Sequence, residues 1–135
     1  MTLDSSAVLA VLFSEPGYLD VVDRMLEAEV LRIGTPTLVE TGVVFASRRG
    51  SGSGAQARQL DAVHELIKEL GVTVVPFGEP EWHRAVEAFV RFGRGRHKAN
   101  LNFGDCLAYA TAAVANDTLL YVGNDFRHTD IAPAR

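Results

Sequence analysis

A single cysteine, Cys106, rules out an internal disulfide. That scarcity fits a reducing compartment, so a cytoplasmic location is expected. No apolar run approaches the roughly 20 residues that cross a bilayer, and the first residues lack both a basic stretch and a cleavage site, so no secretory leader is expected. The four histidines, His64, His83, His97 and His128, show no close metal-ligand spacing, which removes a zinc site of the usual kind. Gly50-Ser51-Gly52-Ser53-Gly54 lacks the Gly-Lys-Ser/Thr ending of a phosphate-binding loop and reads as a flexible connector. An excess of positive charge is missing too. Thirteen Lys and Arg against seventeen Asp and Glu leave a net charge of -4, which argues against whole-surface attraction to nucleic acid but not against a local basic strip.

What remains is a chain of ordinary globular composition. Its 135 residues suit one domain, expected over residues 1–135, with 47% hydrophobic residues to form its core. Strand-like and helix-like patterns alternate. Met1 to Leu3 opens a short strand, and Ser5 to Phe13 reads as a helix. Tyr18 to Glu29 is amphipathic, with Leu19, Val22 and Leu26 at helical spacing and Met25 widening that face. Leu31 to Ile33 is a second strand. Thr35-Pro36 supplies a cap and an N1 proline for a helix reaching about Arg49. Ala55 to Leu70 is helical and closes at Gly71, and Val72 to Val75 is a β-branched strand ended by Pro76. Helices over Glu79–Phe92 and Gly104–Asn116 precede a last strand, Leu119 to Val122. Strands separated by helices predict an α/β fold with a parallel sheet covered on both faces, and ligands then bind beyond the carboxyl ends of the strands.

Four carboxylates stand at the edges of apolar runs: Asp4, Glu40, Asp105 and Asp125. Acids in such settings are paired, hydrogen-bonded or metal-bound. Glu40 and Asp105 have no basic residue at the i±3 or i±4 positions, Asp4 has none nearby, and only Asp125 has Arg127 and His128 close by. Any one of these acids alone reads as a helix cap or a turn residue. Together they fit one shared divalent cation. Asp4 and Asp125 follow predicted strands, Asp105 falls in the first turn of its helix, and Glu40 lies just past the first turn of another, so all four can meet on one rim. Oxygen-only donors select hard cations, Mg2+ first and Mn2+ as a substitute. Such a site suits phosphodiester hydrolysis, because a bound metal lowers the pKa of its water and stabilises charge on the phosphate.

The segments MTLDSSA, TLVETG, LNFGDCLAYATA and LLYVGNDFRHTDI, in that order, resemble the PIN-domain ribonucleases, in particular the VapC toxins of VapBC toxin–antitoxin pairs. The resemblance implies a three-layer α/β/α fold with a short central parallel sheet, and magnesium-dependent endoribonuclease activity. It further implies inhibition by a cognate VapB-like antitoxin and a homodimer, or a higher hetero-oligomer with the antitoxin. Residue by residue, it implies that Asp4 and Asp105 are the metal ligands, that Glu40 completes the acidic pocket and that Asp125 takes the variable fourth position, for which Asp130 competes. Ser6 would hydrogen-bond within the site.

Arg91, Arg94, Arg96, His97 and Lys98 crowd into the stretch before Asp105. They read either as an RNA-binding strip or as a solvated loop. Trp82 and Phe92 read as core or interface residues. An antitoxin tail would place an arginine among the carboxylates and rest on apolar surface around Val8–Phe13 and Val21–Leu26, unless those residues are core. Two rivals stand beside the nuclease. A haloacid-dehalogenase-like phosphatase needs an aspartate where Ser6 stands, and a non-catalytic PIN-like binding module would not need all four acids.

Overall fold

A computed structural model of the chain describes residues 1–49 and 55–134; the Gly50–Gly54 connector lies outside them. The elements run β1 (Thr2–Leu3), α1 (Ser5–Leu12), α2 (Tyr18–Glu27), β2 (Arg32–Gly34), α3 (Thr35–Arg49), α4 (Ala55–Glu69), β3 (Thr73–Val75), α5 (Glu79–Phe92), α6 (Phe103–Ala115) and β4 (Leu119–Leu120), followed by a 3₁₀ turn at Asp125–His128. The four strands form one parallel sheet in the order β3-β2-β1-β4, with Thr2 opposite Arg32 on one side and Leu119 on the other.

Side chains alternate across a strand, so the two residues of β4 serve two cores. Leu3, Ile33 and Leu120 face one core with Val8 of α1, Met25 of α2 and Ile67 of α4. Leu119 faces the other, with Phe92 of α5 and Tyr109 and the alanines of α6. Two cores on opposite faces of one sheet make the three layers that the alternating pattern predicts.

The strand ends differ from expectation where their amides are used elsewhere. Val72 donates to Ile67 O at 2.9 Å, closing α4 through Gly71 at φ +64°, so β3 begins one residue later. Val122 donates to Ser6 Oγ at 3.0 Å, and β4 stops at Leu120. The apolar face of α2 also differs. Val21 and Met25 are buried, whereas Leu19 and Leu26 are 61% and 69% exposed. Two apolar stripes lie side by side on this helix, and packing against α1 buries the one at 21 and 25. Val8, Leu9 and Ala10 are core as well, so α1 does not offer them to a partner.

One close approach fixes where α6 sits. A Cβ on Gly34, the last residue of β2, would lie 2.5 Å from Thr111 Oγ1. Gly34→Ala should therefore destabilise the protein by about 1–3 kcal/mol, the usual range for overpacking. Thr111→Ala added to it should recover part of that loss in a thermal melt, because the two side chains share one space.

Candidate active site

β1 is the switch point of the sheet. From it the chain winds outward to β2 and β3 on one side and returns last to β4 on the other. In open parallel sheets ligands bind at this position, beyond the carboxyl ends of the strands. Asp4 stands there, its amide donating to Leu120 O at 2.9 Å across the β1–β4 junction.

Asp4 is 5% exposed and caps α1: its Oδ2 accepts the Ser6 amide at 3.0 Å and also the Ser6 hydroxyl. The Ser6 oxygen in turn accepts the Val122 amide. One hydroxyl thus ties the first acid to the loop that carries the last. Asp105 occupies N3 of α6 in a reciprocal cap. It accepts the Asn102 amide at 2.7 Å, and Asn102 Oδ1 accepts the Asp105 amide at 3.0 Å. Glu40 reaches the site from α3. Its carboxylate rests on the backbone of Gly104, where a Cβ would lie 2.5 Å from Oε1 and 2.7 Å from Oε2. Asp125 opens the 3₁₀ turn and is exposed.

The charges repel in sequence around the rim. Burial pushes the Asp4 carboxyl above the ordinary range and Glu40 adds to this, against the hydrogen bonds from Ser6. Asp105 is pushed up to about 6 by burial, then by Asp4 and Asp125, while the Asn102 amide and Arg94 oppose the shift. Cys106 beside it is pushed up to about 11 by burial and by Asp105, so its thiol stays protonated and unreactive.

Some acids elsewhere are ion-paired. Asp117 pairs with Arg32 at 2.9 Å and Glu15 with Arg48 at 2.9 Å. Asp130, the competitor for the fourth acid, pairs with Arg91 at 2.8 Å, and its carboxyl lies below the usual range because the Tyr109 hydroxyl and then Arg91 hydrogen-bond to it. None of Asp4, Glu40, Asp105 and Asp125 has an ion pair among the described residues.

The four form an open rim, not a closed cage: among the described residues no three His, Cys, Asp or Glu side chains stand together as a ready ligand set. The donor chemistry still fits a hard cation, which binds one or two carboxylates directly and keeps several waters. A negative cluster without an ion pair among the described residues, and a glycine clearing space for Glu40, match that requirement.

The basic strip divides. Arg94 acts on Asp105, Arg96 lies 5.5 Å over the Phe89 ring and Lys98 is exposed. Arg91 is committed to Asp130 and Glu87. Phe92 is core, whereas Trp82 is 55% exposed.

Comparison with known proteins agrees with this fold. The PIN domain model matches residues 1–132. The chain belongs to the PIN-domain family. Within the family it falls among the VapC ribonucleases: it is 39% identical over 135 residues to Ribonuclease VapC28 of Mycobacterium tuberculosis, covering 99% of this chain and 97% of that one. The crystal structure of VapC20 from the same organism, described as a sarcin–ricin loop cleaving toxin, superposes with a TM-score of 0.76 at 17% identity, covering 99% and 98% of the two chains. VapBC2 from Rickettsia felis, solved on a DNA fragment from its promoter, gives 0.72 at 12% identity, covering 98% and 95%. At such identities the two structures show the shared fold.

Sequence reasoning missed Asn102 and Gly104. The Asn102–Asp105 spacing of a capping box was a usable signal; the Gly104–Glu40 contact had none, since it joins segments far apart in the chain.

The raised carboxyls set a pH dependence for the metal-free PIN domain. Asp105 ionises near 3.8 when unfolded and near 6 when folded, so the folded state holds the extra proton between these values. The contribution of Asp105 to stability is then greatest below about pH 4 and declines as pH rises through about 6. Asp105→Asn should flatten that decline in denaturant titrations at fixed ionic strength.

Proposed function

We propose that this chain is a magnesium-dependent endoribonuclease and the toxin of a VapBC-type pair, cutting RNA at the rim of Asp4, Glu40, Asp105 and Asp125. The observation that carries the reading is the acidic rim at the switch point, whose members make no ion pair among the described residues. Asp4 and Asp105 are the metal ligands, each oriented by a hydrogen bond on Oδ2, and Mn2+ would suit the same oxygens. Glu40 and Asp125 complete the negative pocket, and Ser6 holds Asp4 in place. A metal held there by Asp4 and Asp105 would supply an activated water and charge stabilisation at the phosphate. Arg94, Arg96 and Lys98 offset repulsion between the rim and the RNA backbone, a role closed to Arg91 by its ion pairs.

The relatives' naming as VapC ribonucleases supports both the substrate and a VapB-like antitoxin partner. An arginine of that antitoxin would enter the rim and replace the metal's charge. The homodimer also has a candidate surface. Trp82, Val86, Phe89 and Val90 form an exposed apolar row on α5, and the first three, with Phe103, border an open groove of about 500 Å³. Glu79 and Glu81 start this helix, and Arg94 and Arg96 follow it. Two copies of α5 packed antiparallel about a two-fold axis would set acids against arginines at both ends. Trp82→Glu should convert the dimer to monomer in sedimentation experiments while leaving the melting temperature of the monomer within a few degrees.

Two substitutions separate site from fold. Asp4→Asn should abolish Mg2+-dependent cleavage of RNA by purified protein and remove the Mg2+-induced rise in melting temperature. Gly104→Ala should keep or raise helix stability by up to about 1 kcal/mol, yet lower cleavage at least tenfold, because Glu40 must move. Wild-type cleavage by Asp4→Asn would overturn the reading.

A further inference from the structure

Resting on the ribonuclease reading, we propose that Asp130, held between Tyr109 and Arg91, is a positioning residue that fixes the loop carrying Asp125 against α6. Its two oxygens serve two helices. Oδ1 accepts the Tyr109 hydroxyl at 2.6 Å, and Oδ2 accepts Arg91 Nη2 at 2.8 Å. Tyr109 lies four residues beyond Asp105, about one turn along the same helix. The clamp therefore ties the loop of the fourth acid to the element that presents the third.

That loop needs such a tie. It leaves the sheet after Leu120 and returns where Pro133 bridges Leu119 and the Ala134 amide donates to Leu119 O at 2.9 Å. Near its start the Val122 amide is held by Ser6 Oγ, and in its middle Phe126 is buried with its ring 5.0 Å from that of Tyr121. Asp125 stands exposed between these anchors at the head of a four-residue 3₁₀ turn, a form with weak hydrogen bonds of its own. Past the turn, Asp130 makes the side-chain contacts that reach α5 and α6.

The chemistry of the pair suits a permanent clamp. The ring of Tyr109 is buried among apolar neighbours, where phenylalanine would pack equally well, so the hydroxyl finds its use at Asp130. The phenol is pushed up to about 12 by burial and by Asp130, and remains a donor. Asp130 stays ionised, opposite an arginine.

The test is a double-mutant cycle on the Mg2+-loaded protein. Tyr109→Phe and Asp130→Ala should each lower the single-turnover cleavage rate by roughly five- to fifty-fold, as coupled residues do. Each should also raise the half-saturating Mg2+ concentration for thermal stabilisation, with the KM for RNA unchanged within about twofold. In an Asp125→Asn background the same changes should have less than about twofold further effect on either quantity. The Mg2+ readout decides the matter even if Asp125→Asn leaves no measurable cleavage. If Tyr109→Phe does not fold, Asp130→Ala, at an exposed position, carries the test. An unchanged rate and Mg2+ dependence in both single variants, or equal fold-losses with and without Asp125, would overturn the clamp alone. Failure of the wild type to cleave RNA or to respond to Mg2+ would overturn the ribonuclease reading itself.

Discussion

Repulsion among carboxylates that the protein does not neutralise is the constraint around which this structure is arranged. Burial raises the Asp4 and Asp105 carboxyls, and repulsion adds to it, from Glu40 on Asp4 and from Asp4 and Asp125 on Asp105. Such a set persists because each member is fixed by groups that leave its charge intact. A serine hydroxyl and an amide hold Asp4, an asparagine cap holds Asp105, and a missing side chain at residue 104 admits Glu40. Some acids elsewhere pair with arginine, as at Asp117 and Asp130. The rim differs from an ordinary charged surface in the burial of Asp4, the partial burial of Asp105 and the repulsion that raises both carboxyls, and such a set suits a cation from outside the protein.

The sheet meets that constraint economically. Its strands are two or three residues long, yet β1 is flanked on both sides, and the junction between β1 and β4 is where the winding reverses. Both acids that follow these strands are brought to the same crevice. The helices then add one acid each, Glu40 from α3 and Asp105 from α6. The approach of α6 to the sheet depends on Gly34, so the small residues at 34 and 104 act together to set the depth of the site.

Much of this was legible in the sequence, and the reasons for the exceptions are physical. Alternating short apolar runs and amphipathic segments defined a parallel three-layer fold, and acids at the ends of apolar runs marked its rim. Local periodicity could not choose between the two apolar stripes of α2, since the choice is made by α1. Asp125 and Asp130 look equivalent in the sequence; a tyrosine on α6 and an arginine on α5 separate them by engaging one and leaving the other exposed. Strand ends were misplaced by a residue or two because the amides of Val72 and Val122 are drawn to a helix end and a serine. In each case the deciding contact comes from outside the local segment.

The pairing of β1 with β4 has a consequence for how the protein is made. Thr2 and Leu3 find their partners at Leu119 and Leu120, so the first strand synthesised waits for the last. Contacts so distant in sequence are slow to form and incur their loop-closure cost before they are rewarded. A nascent chain that already exposes Asp4 and Glu40 therefore has no crevice in which to gather them until residues 119–125 have emerged. The proposed site is therefore complete only once the last strand has joined the first.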